Sequence, residues 1–251
     1  MLGLFRKTPP PESLPAKFAR LLAFHAEMVT STRAAIADLK RQDQPALLIS
    51  NYSHLVGDHC QIAVMQWRLG QDPRAAIAAM HMAYHEMIAC RAAVDPDRRL
   101  PMAQIAGITD WDFVHALFWL AGMPEPVQMH FPRLAKERYF AFSHFLLHRV
   151  TATDVPGPLA QAVAGFQSGD GLATREFRDK LALLDGEASD ALIARIEGYW
   201  PKRRRNGFYQ SSAPLLAGFD ASNDLSVDWQ LACILRVKGI ARPQSPHAWH
   251  W

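Results

Sequence analysis

The sequence predicts an all-α protein, a single compact domain of about eight to ten helices, with two helical subdomains as the alternative arrangement. Three observations support this prediction. Apolar residues recur at three- to four-residue spacing through most of the chain. No window alternates between apolar and polar residues as a half-buried strand would. Short segments rich in Gly and Pro separate the periodic runs and mark where one helix ends and the next begins.

Residues 1–13 are predicted to be an extended lead-in, because the three prolines between Thr8 and Glu12 block helices and sheet ladders alike. A long amphipathic helix is then predicted from Leu14. It is expected to end near Lys40-Arg41, since cations suit the negative C-terminal end of a helix.

The stretch from Ala46 to Val94 predicts two consecutive helices joined at Gly70–Pro73. The first helix has two adjacent apolar stripes, so its apolar arc is wide, and the second helix repeats the pattern. The main stripe consists of Ile49, Tyr52, Val56, Cys60, Ala63 and Trp67. A short Gly-Asp-Pro connection makes the two helices antiparallel neighbours, and arcs this wide must be covered by further helices.

Two more helices are predicted between residues 109 and 152. Thr109 and Asp112 resemble a capping box that opens a short apolar helix, which stops at Gly122. The second helix runs from Leu134 to Ala152 and is aromatic on one side.

The segment Thr153–Gly157 contains Asp, Pro and Gly, and is the best candidate for a boundary between residues 14–152 and residues 158–251. Several helices are predicted in the second part, and Ser222 or Asn223 is expected to cap the last one. Their predicted ranges are Ala173–Leu184, Glu187–Trp200, Tyr209–Phe219 and Leu225–Lys238.

Composition and charge limit the class of function. Nearly half of the residues are apolar, and the net charge of +3 is too small over 251 residues to indicate a nucleic-acid or membrane partner. No run is long enough to span a membrane and Met1–Lys7 is too poor in apolar residues for a signal sequence, so we expect a cytoplasmic location. Cys60, Cys90 and Cys233 are expected to be buried free thiols.

Histidine pairs are the obvious candidates for a metal site. His81 and His85 share a helix face at the edge of the apolar arc. Glu86 points about 100° away from His85 and is a poor third ligand. Met82 also stands where a zincin signature has Glu. We therefore predict no metal site and no cofactor. The alternative is a metal-dependent helical hydrolase in which His81, His85 and carboxylates from another helix activate water.

No other catalytic motif is found in the sequence. Gly165, Gly169 and Gly171 lack both the spacing and the Lys of a phosphate-binding loop, and no Gly-x-Ser-x-Gly nucleophile elbow occurs. Cys60 follows His59 directly. Adjacent residues on a helix point about 100° apart, so these two side chains do not form a nucleophile–base pair.

The C-terminal third carries a resemblance to a known family. The residues that carry it are, in order, Tyr199-Trp200-Pro201, Phe208-Tyr209, Asp220 to Ala232, Gly239-Ile240 and the aromatic tail Pro246 to Trp251. This order resembles the helical immunity proteins of bacterial polymorphic toxin systems, in particular the PoNi-like group that neutralises PoNe-type DNase toxins. The helix from Leu48 to Gly70, with Tyr52 and Gly57-Asp58, is similar to an early helix of that family.

The resemblance implies an all-α protein that binds and occludes a cognate antibacterial toxin, best matched to a nuclease effector, and that has no catalysis of its own. It also implies a role in interbacterial competition, with type VI secretion as the setting. The expected partner is that toxin, with neither nucleic acid nor a membrane, and the oligomeric state stays open.

A nuclease target would also predict where the toxin binds. Its substrate cleft is basic, so an occluding protein needs clustered carboxylates that face the cleft. We expect Asp220, Asp224 and Asp228 around the last helix to form this acidic surface. Asp228 is placed beyond the first turn of the predicted helix, where the favourable effect of the helix dipole on a carboxylate has faded.

Overall fold

The computed structural model describes residues 13–42, 44–97, 111–123, 138–199, 202 and 228–241. These residues form nine α-helices and contain no strand, which confirms the predicted all-α class. The helices are α1 (Leu14–Arg41), α2 (Pro45–Arg68), α3 (Pro73–Val94), α4 (Trp111–Leu120), α5 (Arg138–Val150), α6 (Gly157–Phe166), α7 (Leu172–Asp185), α8 (Asp190–Glu197) and α9 (Trp229–Val237).

The ends of α1 follow from local chemistry. The Ser13 hydroxyl accepts a hydrogen bond from the Ala16 backbone N–H at 3.4 Å, which satisfies one of the free donors of the first turn. Lys40 and Arg41 occupy the last turn, where cations interact favourably with the helix dipole. Both predicted ends of this helix are confirmed.

The helices α1, α2 and α3 form an N-terminal layer in which α2 packs against both of the others. The predicted connection between α2 and α3 is confirmed. Gly70 has φ +65°, a conformation that glycine adopts without steric cost, and Asp72 caps α3 by accepting from the Arg74 N–H at 2.9 Å. The wide apolar arc of α2 is also confirmed, because Tyr52, Val56, Cys60 and Ala63 are all buried.

The short helix α9 occupies the centre of the second half of the chain. It packs against α4, α5 and α7, and every residue from Trp229 to Leu235 is buried. A helix that is apolar nearly all round must be enclosed on all sides. Gly122, which has φ +78° after α4, and Gly239, which has φ +64° after α9, end these two helices.

A second, smaller core lies between α5, α6 and α7. The Phe142 and Phe177 rings stack with their centroids 4.2 Å apart and an interplanar angle of 9°. Phe145 meets Phe177 edge-on at 5.7 Å. The remaining buried members of this core are Ala141, Leu146, Leu159 and Val163.

Within the predicted boundary Thr153–Gly157, residues 153–156 form a loop between α5 and α6, and Gly157 is the first residue of α6. The Thr153 hydroxyl lies 2.8 Å from His148 Nδ1, which ties the loop back to the end of α5. The larger core contains residues from both sides of this loop, including Leu147 before it and Leu183 and Ile234 after it. The hydrophobic packing is therefore continuous across the boundary.

Several predicted elements differ from the structure. The helix α6 had no sequence prediction, and α8 begins at Asp190 instead of Glu187 because the Ser189 hydroxyl caps it through the Leu192 N–H. The helix α9 begins at Trp229 with Asp228 as its cap, so the predicted caps Ser222 and Asn223 are wrong for this helix. Outside the described residues lie the lead-in up to Glu12, the capping-box residue Thr109 and the predicted helix Tyr209–Phe219.

No helix in the described part of the chain combines the length and the apolar character that crossing a membrane requires.

The aromatic stack of the smaller core gives a prediction about stability. Replacing Phe177 by Ala is expected to lower the free energy of unfolding by about 3–5 kcal/mol, because it removes a large buried ring and leaves a cavity. The matched control is Leu47→Ala, which also removes a large apolar side chain but from a site that is 49% exposed. Urea denaturation should show a large loss for the first variant and almost none for the second. Equal losses would contradict the described core.

Candidate functional site

Asp228 does not lie on an acidic surface. It is 1% exposed, its carboxylate lies 2.6 Å from Lys180 Nζ, and it accepts a hydrogen bond from the Leu231 N–H at 3.0 Å. The prediction that Asp228 helps to form an exposed binding surface is therefore wrong, because this carboxylate caps α9 inside the core. Asp220 and Asp224 lie outside the described residues, and their roles stay predictions.

Lys180 is the centre of a buried polar network that joins three helices. Its ammonium is completely enclosed and lies 2.5 Å from Glu176 on the same helix. From α9, Asp228 and Gln230 accept hydrogen bonds from Nζ at 2.8 and 2.9 Å. The amide of Gln230 in turn donates to the Ser143 hydroxyl of α5 at 2.8 Å.

Electrostatics explain why these groups occur together. A buried ion pays a desolvation cost of several kcal/mol, which is offset only when partners with good geometry surround it. Lys180 has two carboxylates, and Asp228 gains further support from the N-terminal end of α9. Because Lys180 has no exposed surface, no substrate can reach its ammonium in this structure. The network therefore joins α5, α7 and α9 in the core.

A second polar cluster lies within the N-terminal layer. His25 Nδ1 of α1 is 2.8 Å from the Asp58 carboxylate of α2. Arg33 of α1 donates from Nε and from a terminal nitrogen to one oxygen of Glu86 on α3, at 3.0 and 2.6 Å. His59 Nε2 lies 3.9 Å from that same oxygen. His25, His59 and Glu86 are all buried.

Burial lowers the pKa of His59 below its ordinary value of 6.5, and the nearby charge of Arg33 acts in the same direction. Glu86 and Asp58 oppose this shift. Within the described residues, neither His59 Nε2 nor His25 Nε2 has a hydrogen-bond partner. The cluster thus contains two imidazole nitrogens without partners, and burial favours the neutral form of the His59 ring.

The alternative metal site at His81 and His85 stays a prediction, but the structure changes the position given to the two histidines. Both side chains are exposed on α3, not at the edge of its buried arc as the sequence suggested. Glu86 turns inward to Arg33, which confirms that it does not complete a site with them. Among the residues that the structure describes, no three or more His, Cys, Asp or Glu side chains are grouped so that they could hold a metal ion.

The three cysteines are buried free thiols, as predicted. Burial raises the pKa of Cys60 and Cys233, and raises that of Cys90 to about 12. A thiol with a raised pKa stays protonated at neutral pH and is a poor nucleophile. This agrees with the exclusion of a Cys60–His59 catalytic pair.

Exposed carboxylates do occur on the connection between α7 and α8, where Asp185, Glu187 and Asp190 are all exposed. Asp185 pairs with Arg149 of α5 at 2.7 Å. The Lys238 ammonium, just after α9, donates to the Gly186 carbonyl at 2.7 Å. The acidic corner is therefore close to the end of α9, but part of its charge is already compensated.

Sequence reasoning missed the Lys180 network. Lys180 and Glu176 are four residues apart, a spacing that usually indicates an exposed helical ion pair. One feature of the sequence could have indicated burial of Lys180. Phe177 and Leu183 lie three residues before and three residues after it in α7, and both are buried, so Lys180 lies within an apolar arc. Nothing local indicated that Asp228, 48 positions later, completes the network.

Searches against protein-family models, curated proteins and solved structures find no match for this chain. The described geometry defines a helical protein with two internal polar clusters and an exposed histidine pair on α3.

The buried network gives a prediction about stability. Replacing Lys180 by Met should cost about 3–5 kcal/mol of unfolding free energy, because it leaves Glu176 and Asp228 buried without their cation. The double variant Lys180→Met, Glu176→Leu should recover part of this loss, because it removes one of the uncompensated carboxylates. A control, Asp170→Asn, breaks the exposed pair with Arg178 and should leave the urea midpoint nearly unchanged. A tolerated Lys180→Met change would show that the network contributes little.

The lowered pKa of His59 predicts acid sensitivity. Between its folded and unfolded pKa values the unfolded chain binds more protons, so the free energy of unfolding falls as pH drops below about 6.5 and levels off below the folded value. His148, whose pKa burial also lowers, contributes in the same direction. His59→Gln should lose less stability than the wild type between about pH 7.5 and about pH 5.5 in urea denaturation. Identical losses would mean that His59 does not contribute.

Proposed function

We propose that this chain is a helical immunity protein that binds a cognate antibacterial toxin, of the nuclease class, and occludes its active site without any catalysis of its own. The proposal rests on the family resemblance of the C-terminal third and on the way in which that third is assembled. The toxin is the proposed partner, and the setting is competition between bacteria.

The observation that carries the proposal is that one helix holds two of the segments that bear the resemblance. Asp179 of α7 binds the Arg195 guanidinium at 2.7 and 2.9 Å and accepts from the Tyr199 hydroxyl at 2.8 Å. The next residue, Lys180, binds Asp228 and Gln230 at the start of α9. The described residues of these two segments, Tyr199, Asp228 and Gln230, therefore contact the same helix.

This arrangement suits a protein whose task is binding. A surface that is rigid before binding loses less conformational entropy when its partner docks. The pKa of Asp179 is lowered chiefly by its hydrogen bond with Arg195, so at neutral pH the carboxylate is ionised and holds Tyr199 in place. Two neighbouring residues of α7 therefore join it by ionic contacts to Arg195 of α8 and to Asp228, the cap of α9.

The proposed toxin-binding surface needs revision at one residue. Asp228 forms a buried ion pair with Lys180, so a charge reversal there would damage the core instead of testing the surface. Asp220 and Asp224 remain the proposed electrostatic contacts for a basic nuclease cleft. Among the described carboxylates that are fully exposed, Asp190 and Glu187 are the nearest to Tyr199 along the chain.

The test is co-expression with a nuclease toxin domain, taken from a neighbouring gene where one encodes it, followed by copurification and a survival assay. The double variant Asp220→Lys, Asp224→Lys should slow association and weaken protection, with a larger effect at low salt than at high salt because screening weakens charge steering. The matched control is Glu27→Lys, Asp154→Lys, which makes the same charge change at exposed sites in other parts of the chain.

Two results would contradict different parts of the proposal. No protection and no copurification by the wild-type chain would rule out the immunity function for that toxin. Protection by the wild type that the Asp220 and Asp224 variant fully retains, with unchanged association kinetics at low salt, would reject this surface while leaving the immunity function intact.

A further inference from the structure

The exposed side of α3 has an unusual composition. Its outer face, defined as the exposed positions after Pro73, consists of Arg74, Ala78, His81, Met82, His85, Ile88, Ala92 and Ala93. Met82 and Ile88 are two of the four large apolar side chains that are exposed in the described residues. The face carries no carboxylate, and its one full charge is at its N-terminal end. Within this face, the two histidines are flanked by Ala78, Met82 and Ile88.

His81 and His85 lie at the middle of this outer face. Four helical residues give a separation of about 6 Å along the axis and about 40° around it. This is the spacing at which two histidines on one helix ligate the same zinc ion. Both side chains are exposed, so neither must leave the core to meet a metal ion.

The pair is an incomplete site within one chain. Structural zinc sites have four protein ligands in a tetrahedral arrangement, with nitrogen at about 2.0–2.1 Å. The described residues offer no third His, Cys, Asp or Glu grouped with these two. A stable site therefore needs two more donors from another molecule.

We propose that His81 and His85 from two copies of this chain bind one zinc ion and join the copies across their α3 helices. A two-fold axis on the outer side of α3, at the level halfway between His81 and His85, makes two α3 helices antiparallel, with His81 of each copy opposite His85 of the other. All four imidazoles then surround one point on the axis. The same register places Ala78 opposite Ile88, so that a small residue faces a large one on both sides of the metal.

The charges and the area of the outer face are both consistent with a dimer that a metal ion holds together. In this register the two Arg74 side chains are at opposite ends, about 27 Å apart, well beyond the screening length of about 8 Å at physiological salt. A face about 27 Å long and about 10 Å wide offers about 270 Å² per copy, whereas a stable interface buries about 800 Å² per partner. Apolar contact alone is therefore too small, and the dimer depends on zinc.

The test measures mass and zinc binding together on the full chain, with any purification tag removed. Sedimentation velocity should show a monomer in the presence of a chelator and a dimer after addition of zinc chloride. Isothermal titration should give one zinc ion per two chains. Cobalt added in place of zinc should give the intense visible absorption of a tetrahedral site.

Variants decide whether the assigned residues are responsible. His81→Ala and His85→Ala should each abolish the zinc-dependent dimer while leaving the far-UV circular dichroism spectrum unchanged, because both side chains are exposed. The control His54→Ala removes an exposed histidine from α2 and should still dimerise. Four results would each overturn the proposal. Two concern the wild type: a dimer in the presence of chelator, or one zinc ion per monomer without dimerisation. Two concern the variants: a zinc-dependent dimer of His81→Ala, or loss of the dimer in His54→Ala.

Discussion

The position of α9 depends on the enclosed ammonium of Lys180. A charge with no exposed surface is tolerated only where its partners are in place, so the register of α9 on α7 is the one that brings Asp228 and Gln230 to Nζ. Asp228 also caps α9, which couples the start of that helix to its tertiary position. Because α9 packs on α4, α5 and α7, this ionic contact supports the packing of these four helices.

In the N-terminal layer, buried polar groups are also paired, but some of their partners are partly exposed. Arg33 reaches from the surface to the buried Glu86, and Asp58 holds the buried His25. These links connect α1 to both of its neighbours. Polar pairs inside an apolar interface favour one alignment of three helices, because any shift by a turn would leave a buried charge without a partner. Polar contacts thus fix the helices of the N-terminal layer and the position of α9 on α7, and this suits the proposed role in binding a toxin.

Prediction from sequence succeeded where local rules act alone. The ends of α1 and the connection between α2 and α3 follow from Ser13, Gly70 and Asp72, which are local caps and turns. It failed at the start of α9, because Ser222, Asn223 and Asp228 are all favoured N-cap residues and the sequence does not show which of them caps the helix. The candidate acidic surface lost Asp228 for a different reason: its partner Lys180 is distant in the chain, and no spacing rule reveals that contact.

The sequence by itself determined the helical class, the connection of the central pair and the buried state of the three thiols, because periodicity and burial are written into the order of apolar residues. It also placed His81 and His85 on one face. Only the tertiary structure decided that this face looks outward, that Glu86 turns inward to Arg33, and that Lys180 is buried. The physical reason is that exposure and charge pairing depend on which helices cover one another. That packing is set by contacts between segments that are distant in the chain.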